Sequence, residues 1–479
     1  MAATPLDALN NRVADDLAFL QLPAAKWVPE TTIDGEPVLD VAVIGGGMAG
    51  LAAAASLRFQ GVEAVIFDGR PRGREGPWAT TARMETLRSP KGLTGPALGI
   101  PSLTFRAWFE AQFGRAAWDA LGKIPRLQWM DYLGWYRSVL GLEVRSECRV
   151  NGIVPHPDHV VLTLDTPDGA QVQRARHVVL ATGRDGLGGP LLPDFAHDLP
   201  PDRWAHSSDE YDYDRLAERR VAVIGVGSSA MDSAATALES GAAAVHILVR
   251  RSDIPRTNRG MAMGNPGFVE GLSQLPDAWR WRIHSYIAEE QVPPPKASVL
   301  RVSRHDNAHF HLGCAVSGAA MKDGEVVLQT SLGPAAFDFV LFGTGFKVDW
   351  AAKDFLKNIG ERARTWRHRF VPGKPGTDAL LDMPDLGPAF EFLPKTGEED
   401  GGLSRVHCYC YPALMSHGAV SGDIPAISVG AARLSEGIVA ALYREDVDWH
   451  FQRGRDYDVP ELTGDEWTPA SADLLMPRR

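Results

Sequence analysis

Two short glycine-rich turns are the residues of this chain best suited to chemistry. Gly45-Gly46-Gly47-Met48-Ala49-Gly50 directly follows the apolar run Val41-Ala42-Val43-Ile44, and Gly225-Val226-Gly227-Ser228-Ser229-Ala230 directly follows Val221-Ala222-Val223-Ile224. Each turn leads into an alanine-rich stretch. A buried strand, a glycine turn and a helix in that order bind a dinucleotide. The first glycine (Gly45, Gly225) permits the tight turn and the second (Gly47, Gly227) lets the backbone approach a pyrophosphate. The third position (Gly50, or the permitted Ala230) lets helix and strand pack closely. The pyrophosphate then meets the positive end of the helix, which Met48 and Ala49 open in the first unit.

The residues beyond each turn separate the two sites. Asp68 lies 23 residues after Gly45, at the end of the apolar run Ala64-Val65-Ile66-Phe67. A carboxylate there accepts hydrogen bonds from ribose hydroxyls and repels a 2′-phosphate, so the first site suits FAD or NAD rather than NADP. In the second unit the run Val245-His246-Ile247-Leu248-Val249 ends in Arg250-Arg251. Paired guanidinium groups can hold a 2′-phosphate, which favours NADPH over NADH; the alternative is two solvated surface charges. Ser228 and Ser229 either cap the second helix or contact phosphate. Late in the chain, Asp423-Ile424-Pro425 precedes an apolar helix running past Ile438. Asp423 at the cap and Pro425 in the first turn make either an ordinary core helix or one aimed at a flavin carbonyl.

The elements that must position these turns follow from size and pattern. A chain of 479 residues exceeds one small core, and its composition is that of a globular protein. The formal net charge of −11 argues against nucleic-acid binding. The start lacks a secretory signal pattern and no apolar run reaches bilayer length, so the expectation is a cytoplasmic protein without a membrane partner. Cys148, Cys314, Cys408 and Cys410 fit a reducing compartment, and no metal site is expected; Cys408 and Cys410 read as two strand residues on one face. Leu6, Leu9, Val13, Leu17 and Leu20 fall at helical spacing and predict a helix packed on the body.

The fold class expected is α/β with two Rossmann-like dinucleotide-binding domains, a two-domain flavoprotein of the glutathione-reductase type with the NADPH domain inserted in the FAD domain. The predicted boundaries are an extension over 1–37, the FAD domain over 38–185 and 347–460, the NADPH domain over 186–346, and a tail over 461–479. Residues 387–402 read as an acidic surface loop and the insert 255–302 as the shaper of an entrance. Trp108, Trp118, Trp129, Trp135, Trp279 and Trp281 either line a pocket or belong to cores.

Further segments resemble the class B flavoprotein monooxygenases, which include the flavin-containing, the Baeyer–Villiger and the N-hydroxylating ornithine and lysine enzymes. Asp68-Gly69-Arg70 with Gly76-Pro77-Trp78 is similar to the acidic-x-Arg and Gly-x-Trp segments, in which the Trp packs by the flavin. Leu87-Arg88-Ser89-Pro90-Lys91 sits where that family places polar groups over the flavin ring. Arg126 opens a segment, ending in Tyr132-Leu133, that resembles the family helix whose Arg lies near FAD. Thr182-Gly183 and Thr344-Gly345 match its interdomain hinges. The linker signature is broken: His206 is present, but Pro200 and Asp202 replace the family's Phe and Gly. His206 is either a hinge or NADPH residue or a plain linker residue, and Baeyer–Villiger chemistry is weakened.

The resemblance implies an FAD-dependent, NADPH-driven monooxygenase acting on a small molecule with O2, by N- or S-oxygenation or Baeyer–Villiger oxidation, through a peroxyflavin. Arg88, Ser89, Lys91 and His206 are its candidate catalytic residues. The alternatives are a flavoprotein oxidase or reductase that releases peroxide, and a non-catalytic nucleotide sensor. A disulfide reductase lacks its Cys-x-x-Cys or Cys-x4-Cys pair here. A homodimer is compatible with the sequence.

Overall fold

The computed structural model describes residues 4–373 and 378–475. Helix α1 (Pro5–Phe19) opens with a capping box, Thr4 and Asp7 each accepting the other's backbone N–H. It buries Leu9 and Val13. Leu20, expected on that face, falls at the helix end and is exposed. Strands β1 (Thr31–Ile33) and β2 (Glu36–Ile44) form a hairpin. From β2 the chain enters α2 (Met48–Phe59) and returns as β3 (Ala64–Phe67), parallel to β2. Helices α3 (Phe105–Ala120), packed on α1, and α4 (Arg126–Val139) follow. Then come β4 (Val144–Arg145), β5 (Arg149–Pro155), β6 (Val160–Thr166) and β7 (Gly169–Leu180).

The first sheet has the order β4-β3-β2-β7-β6-β5. Strand β7 serves two surroundings. Its outer half pairs antiparallel with β6 and is largely exposed, while residues 175–180 are buried beside β2. That burial on both faces is why residues 178–180 are wholly apolar.

The second sheet has the order β12-β11-β10-β16-β9, all parallel. It comprises β9 (Trp204–His206), β10 (Arg220–Ile224), β11 (Ala244–Val249), β12 (Ala308–Leu312) and β16 (Phe339–Phe342). Helix α5 (Ser228–Glu239) crosses from β10 to β11. Residues 259–303 form α6 (Arg259–Met263), α7 (Pro266–Gly271), α8 (Asp277–Glu290) and α9 (Lys296–Ser303). The other face of the sheet carries an antiparallel sheet of β13 (Val316–Lys322), β14 (Glu325–Thr330) and β15 (Gly333–Phe337).

The two connections between the sheets pair with each other. Strand β8 (Gly188–Pro190) leaves the first sheet and β17 (Phe346–Val348) returns from the second, in antiparallel register Gly188↔Val348. A Cβ on Gly188 would lie 2.0 Å from the Lys347 carbonyl oxygen, so only glycine fits this crossing. The chain then makes α10 (Lys357–Arg362), α11 (Trp366–Arg369) and β18 (Val406–Cys408), which pairs with β7. It ends in α12 (Leu414–His417), α13 (Ile427–Glu445) and α14 (Val447–Asp456).

Three expectations are corrected. Residues 387–402 are not a plain surface loop, because Phe390 and Phe392 are fully buried and Glu391 bridges to His407. Aromatic side chains outweigh the local Gly, Pro and acid content. Residues 424–445 do form a helix long and apolar enough to cross a membrane. Here its inner face, including Ile427, Ala431, Leu434 and Ile438, packs on α2, with Ser56 and Ser435 sharing a buried 2.7 Å hydrogen bond. Cys410 lies beyond β18 rather than on it, and a tight turn brings its Sγ to 3.6 Å from that of Cys408. Trp108, Trp118, Trp129 and Trp135 are core residues and Trp279 is exposed.

A buried polar cluster joins β7, β18 and α13. His177 Nδ1 lies 3.0 Å from His407 Nε2, and His177 Nε2 lies 3.2 Å from Glu445. Burial pushes the His407 imidazole down to about 3, helped by His177, and holds His284 and His417 at about 4. Each is neutral in the fold and charges in the unfolded chain below pH about 6.5. Asp40, pushed up to about 6 by burial, acts in the opposite sense as pH rises from about 4 to 6. The histidines outnumber it, each with a slope of about 1.4 kcal/mol per pH unit. Thermal unfolding at pH 7.5 and pH 5.5 should therefore show a lower melting temperature at the acidic value; an unchanged or higher one contradicts this ledger.

Candidate dinucleotide-binding cleft

Both glycine turns sit at the carboxyl ends of their parallel strands, where open α/β sheets bind ligands. Gly45 has φ of 108° and Gly225 has φ of 117°, a region that glycine tolerates. A Cβ at Gly45 would lie 2.6 Å from Ala181 O, and one at Gly225 would lie 2.6 Å from Gly343 O. Each strand therefore packs its end carbonyl against its glycine. Gly50 is equally constrained, since its Cβ would lie 1.9 Å from Gly45 O. In the second unit Ala230 replaces that glycine, and the room comes from Gly343, whose Cβ would meet the Ala230 Cβ at 2.4 Å.

Helices α2 and α5 are capped by Gly47 and Gly227, which offer no side-chain acceptor. The first-turn N–H groups of Met48 and Ala49, and of Ser228 and Ser229, thus lie where a phosphate can accept from them. The capping role considered for Ser228 and Ser229 is corrected: both lie inside the first turn.

Asp68 is buried, accepting from Gly46 N at 2.7 Å and Arg70 N at 2.8 Å. Those bonds fix its carboxylate at the end of β3. Arg70 and Arg74 both pair with Glu210 of the second unit. Arg126 opens α4 and donates to the Trp78 carbonyl. Burial pulls its guanidinium below the ordinary value, and nearby Arg83 and Arg301 add to this. Among the described residues no carboxylate pairs with Arg126. Arg126 and Arg83, neither paired with a carboxylate among the described residues, suit a pyrophosphate, while Arg301 is taken by Glu239. Arg83 and Arg301 escaped the sequence reading because α9, which carries Arg301, meets the first unit only in the fold; Arg301 donates to the Arg83 carbonyl at 2.7 Å.

Thr182 Oγ1 is buried and makes no hydrogen bond among the described residues, beside the positive-φ Gly183. Thr344 Oγ1 donates to the Leu191 carbonyl across the hinge, and Gly345 has φ of 90°. His206 ends β9 beside this hinge. Its Nδ1 lies 2.6 Å from Ser208 Oγ, its Nε2 makes no hydrogen bond among the described residues, and its ring edge meets Phe346. Burial lowers its pKa, which keeps it neutral near pH 7. Arg250 and Arg251 are exposed after β11; Arg251 donates to the Glu289 carbonyl, and Arg250 makes no hydrogen bond or ion pair among the described residues.

Other residues stand apart from this set. Arg88 bonds Asp232, a buried carboxylate on α5, at 3.0 Å. It ties the two units together, because that buried charge needs a counter-ion. Lys91 is likewise engaged: its ammonium donates to the Trp118 and Asp119 carbonyls at the end of α3. Ser89 is partly buried and makes no side-chain hydrogen bond among the described residues. Asp423 occupies an N-cap position without a side-chain cap bond, and Ile424 is buried near Gly95. Among the described residues no group of three or more His, Cys, Asp or Glu could hold a metal ion.

The comparisons agree with this geometry. The family model for L-lysine 6-monooxygenase/L-ornithine 5-monooxygenase matches residues 119–289, and an FAD-NAD(P)-binding family model matches residues 42–185. The chain is 36% identical over 470 residues to an FAD-dependent urate hydroxylase of Xanthomonas campestris pv. campestris, covering 98% of this chain and 99% of that protein. Ornithine hydroxylase from Pseudomonas aeruginosa shares the fold with a TM-score of 0.66 at 18% identity, over 84% of this chain and 98% of its own. Ornithine N-hydroxylase of Kutzneria sp. 744, with reduced FAD, NADP+ and L-ornithine, matches at 0.65 and 18%, over 86% and 100%.

The two turns should fail separately. Gly45→Ala is expected to purify with little flavin absorbance. Gly225→Ala should stay yellow but lose at least about 10-fold in the rate of anaerobic reduction by a reduced nicotinamide dinucleotide, the cost of about 1.4 kcal/mol of strain. Equal flavin loss in both variants would contradict this division.

Proposed function

This chain belongs to the class B flavoprotein monooxygenases, with FAD and a nicotinamide dinucleotide bound on one polypeptide, and from that premise we propose that it is an NADPH-driven hydroxylase of a urate-like purine. The observation that carries the reaction type is the pair of glycine turns at the ends of parallel strands, in two units joined by the β8–β17 ribbon. The substrate class rests on the full-length relative, whose name is urate hydroxylase. Carbon hydroxylation is preferred here to the N- or S-oxygenation and Baeyer–Villiger outcomes expected from the sequence, because the full-length relative is a hydroxylase.

The residues present fit both cofactors. Gly45, Gly47, Gly50, Asp68, Arg126 and Thr182 would hold FAD through turn, ribose and phosphate contacts. Gly225, Gly227, Ser228, Ser229 and the exposed Arg250-Arg251 pair would hold NADPH. Bound together, these cofactors supply hydride transfer and activation of O2, the hard chemistry of the reaction.

The chain's own contribution is orientation and exclusion of water. The β8–β17 ribbon ties the two strand ends together, and Arg88–Asp232 with the Glu210 pairs hold one unit against the other. His206, neutral and buried at the ribbon, can accept or donate one hydrogen bond through Nε2 without adding charge. The free guanidinium of Arg250 supports selection of a 2′-phosphate.

Oxygen uptake by the FAD-loaded protein with NADPH, with and without urate, tests this reading. Urate should raise NADPH oxidation several-fold, with little peroxide. Arg250→Ser in the same assay should raise the NADPH KM by about 10-fold, one charge-assisted contact, and leave the NADH KM unchanged. Urate-independent oxidation with all oxygen recovered as peroxide would instead identify an oxidase.

A further inference from the structure

Helix α14 and the arm that follows it bury almost nothing. The ten residues of α14 include no buried side chain, and Val447, Trp449 and Phe451 face solvent. Its ring contacts to the body run through His450, which stacks on Tyr443 at 4.6 Å and approaches Trp27 at 5.7 Å. An isolated helix this short is marginal in water. Residues 457–472 are exposed throughout. Yet the arm carries Tyr457, Val459, Leu462, Trp467, Leu474 and Leu475, with Trp467 56% and Leu475 90% exposed. Monomers rarely leave that much apolar side chain in water.

A receptor surface lies on the same chain. The outer face of α13 presents Val439, Ala440 and Tyr443, which with Trp27 and Gln60 line an open, mostly apolar groove rimmed by Glu436 and Arg444. Ala440, Tyr443 and Val447 continue one stripe from α13 into α14. Helix α13 thus carries, besides its buried inner face, an exposed apolar stripe of Val439, Ala440 and Tyr443 between Glu436 and Arg444.

We propose that two copies of this chain pair through α13 and α14, each laying its arm, residues 457–475, in the groove of the other over Gln60, Val439 and Ala440. The available area fits a stable pair. Tyr443, Trp449, Phe451, Tyr457 and Trp467, at about 150–250 Å² each and roughly half or more exposed, together with the aliphatic residues, offer on the order of 800 Å² per copy. A standard interface takes that much from each partner. A twofold arrangement satisfies both halves, because one surface supplies arm and groove alike. Asp458, Glu461, Asp465 and Glu466 on the arm, with the net charge of −11, disfavour an anionic lipid surface as the alternative cover.

Light scattering on the FAD-loaded full chain should give the mass of two 52.0 kDa subunits. A chain ending at Asp456, and separately the variant Leu462→Ser with Trp467→Ser, should give one subunit while keeping flavin absorbance. A single-subunit mass for the native protein at micromolar concentration overturns the proposal, as does a pair that persists in both variants. Mixing chains carrying Ala440→Cys with chains carrying Trp467→Cys, under mild oxidation and against the parent protein, should give a cross-linked pair. A double variant that links only within one chain would show the arm folding onto its own groove and would also overturn it.

Discussion

The carbonyl oxygen of Ala181 lies 2.6 Å from where a Cβ on Gly45 would stand, and Gly343 O stands at the same distance from a Cβ on Gly225. This close approach of strand end to glycine turn sets the rest of the structure. It puts β7 beside β2 and β16 beside β10, with their carboxyl ends level, and aims the first turns of α2 and α5 at the space beyond. The exchange of Gly50–Ala181 for Ala230–Gly343 shows one steric requirement met in two ways. The methyl group moves from strand end to helix, and the packing distance is kept.

Two such units become one site only when held together, and the chain does so with charge and backbone. The β8–β17 ribbon connects both strand ends through positive-φ glycines, Gly183 and Gly345. Around it, Glu210 takes Arg70 and Arg74, Asp232 takes Arg88, and Arg301 bonds both Glu239 and the Arg83 carbonyl. Exposed pairs of this kind contribute little stability singly. Asp232 is the exception, because leaving that buried carboxylate unpaired would be costly.

The parts legible in the sequence were those with local causes. The strand–glycine–helix units, Asp68 after β3, Arg250-Arg251 after β11 and the Thr-Gly exits each depend on neighbours a few residues away, so spacing exposes them. The contacts of Arg88 and Lys91 were hidden because their partners, Asp232 and the end of α3, are remote in sequence. Arg83 and Arg301 were invisible for the same reason, each gaining its meaning from the other and from Arg126. Residues 387–402 read as loop because composition hides two anchoring phenylalanines. The outer face of α13 looked unremarkable because periodicity marks the inner face first.

The proposed reaction delivers one atom of O2 to a urate-like purine at the expense of NADPH. Its most direct test is mass spectrometry of the product formed under isotopically labelled O2. The account predicts one labelled oxygen atom in each product molecule. Product whose new oxygen comes from water, or label found only in peroxide, would contradict it.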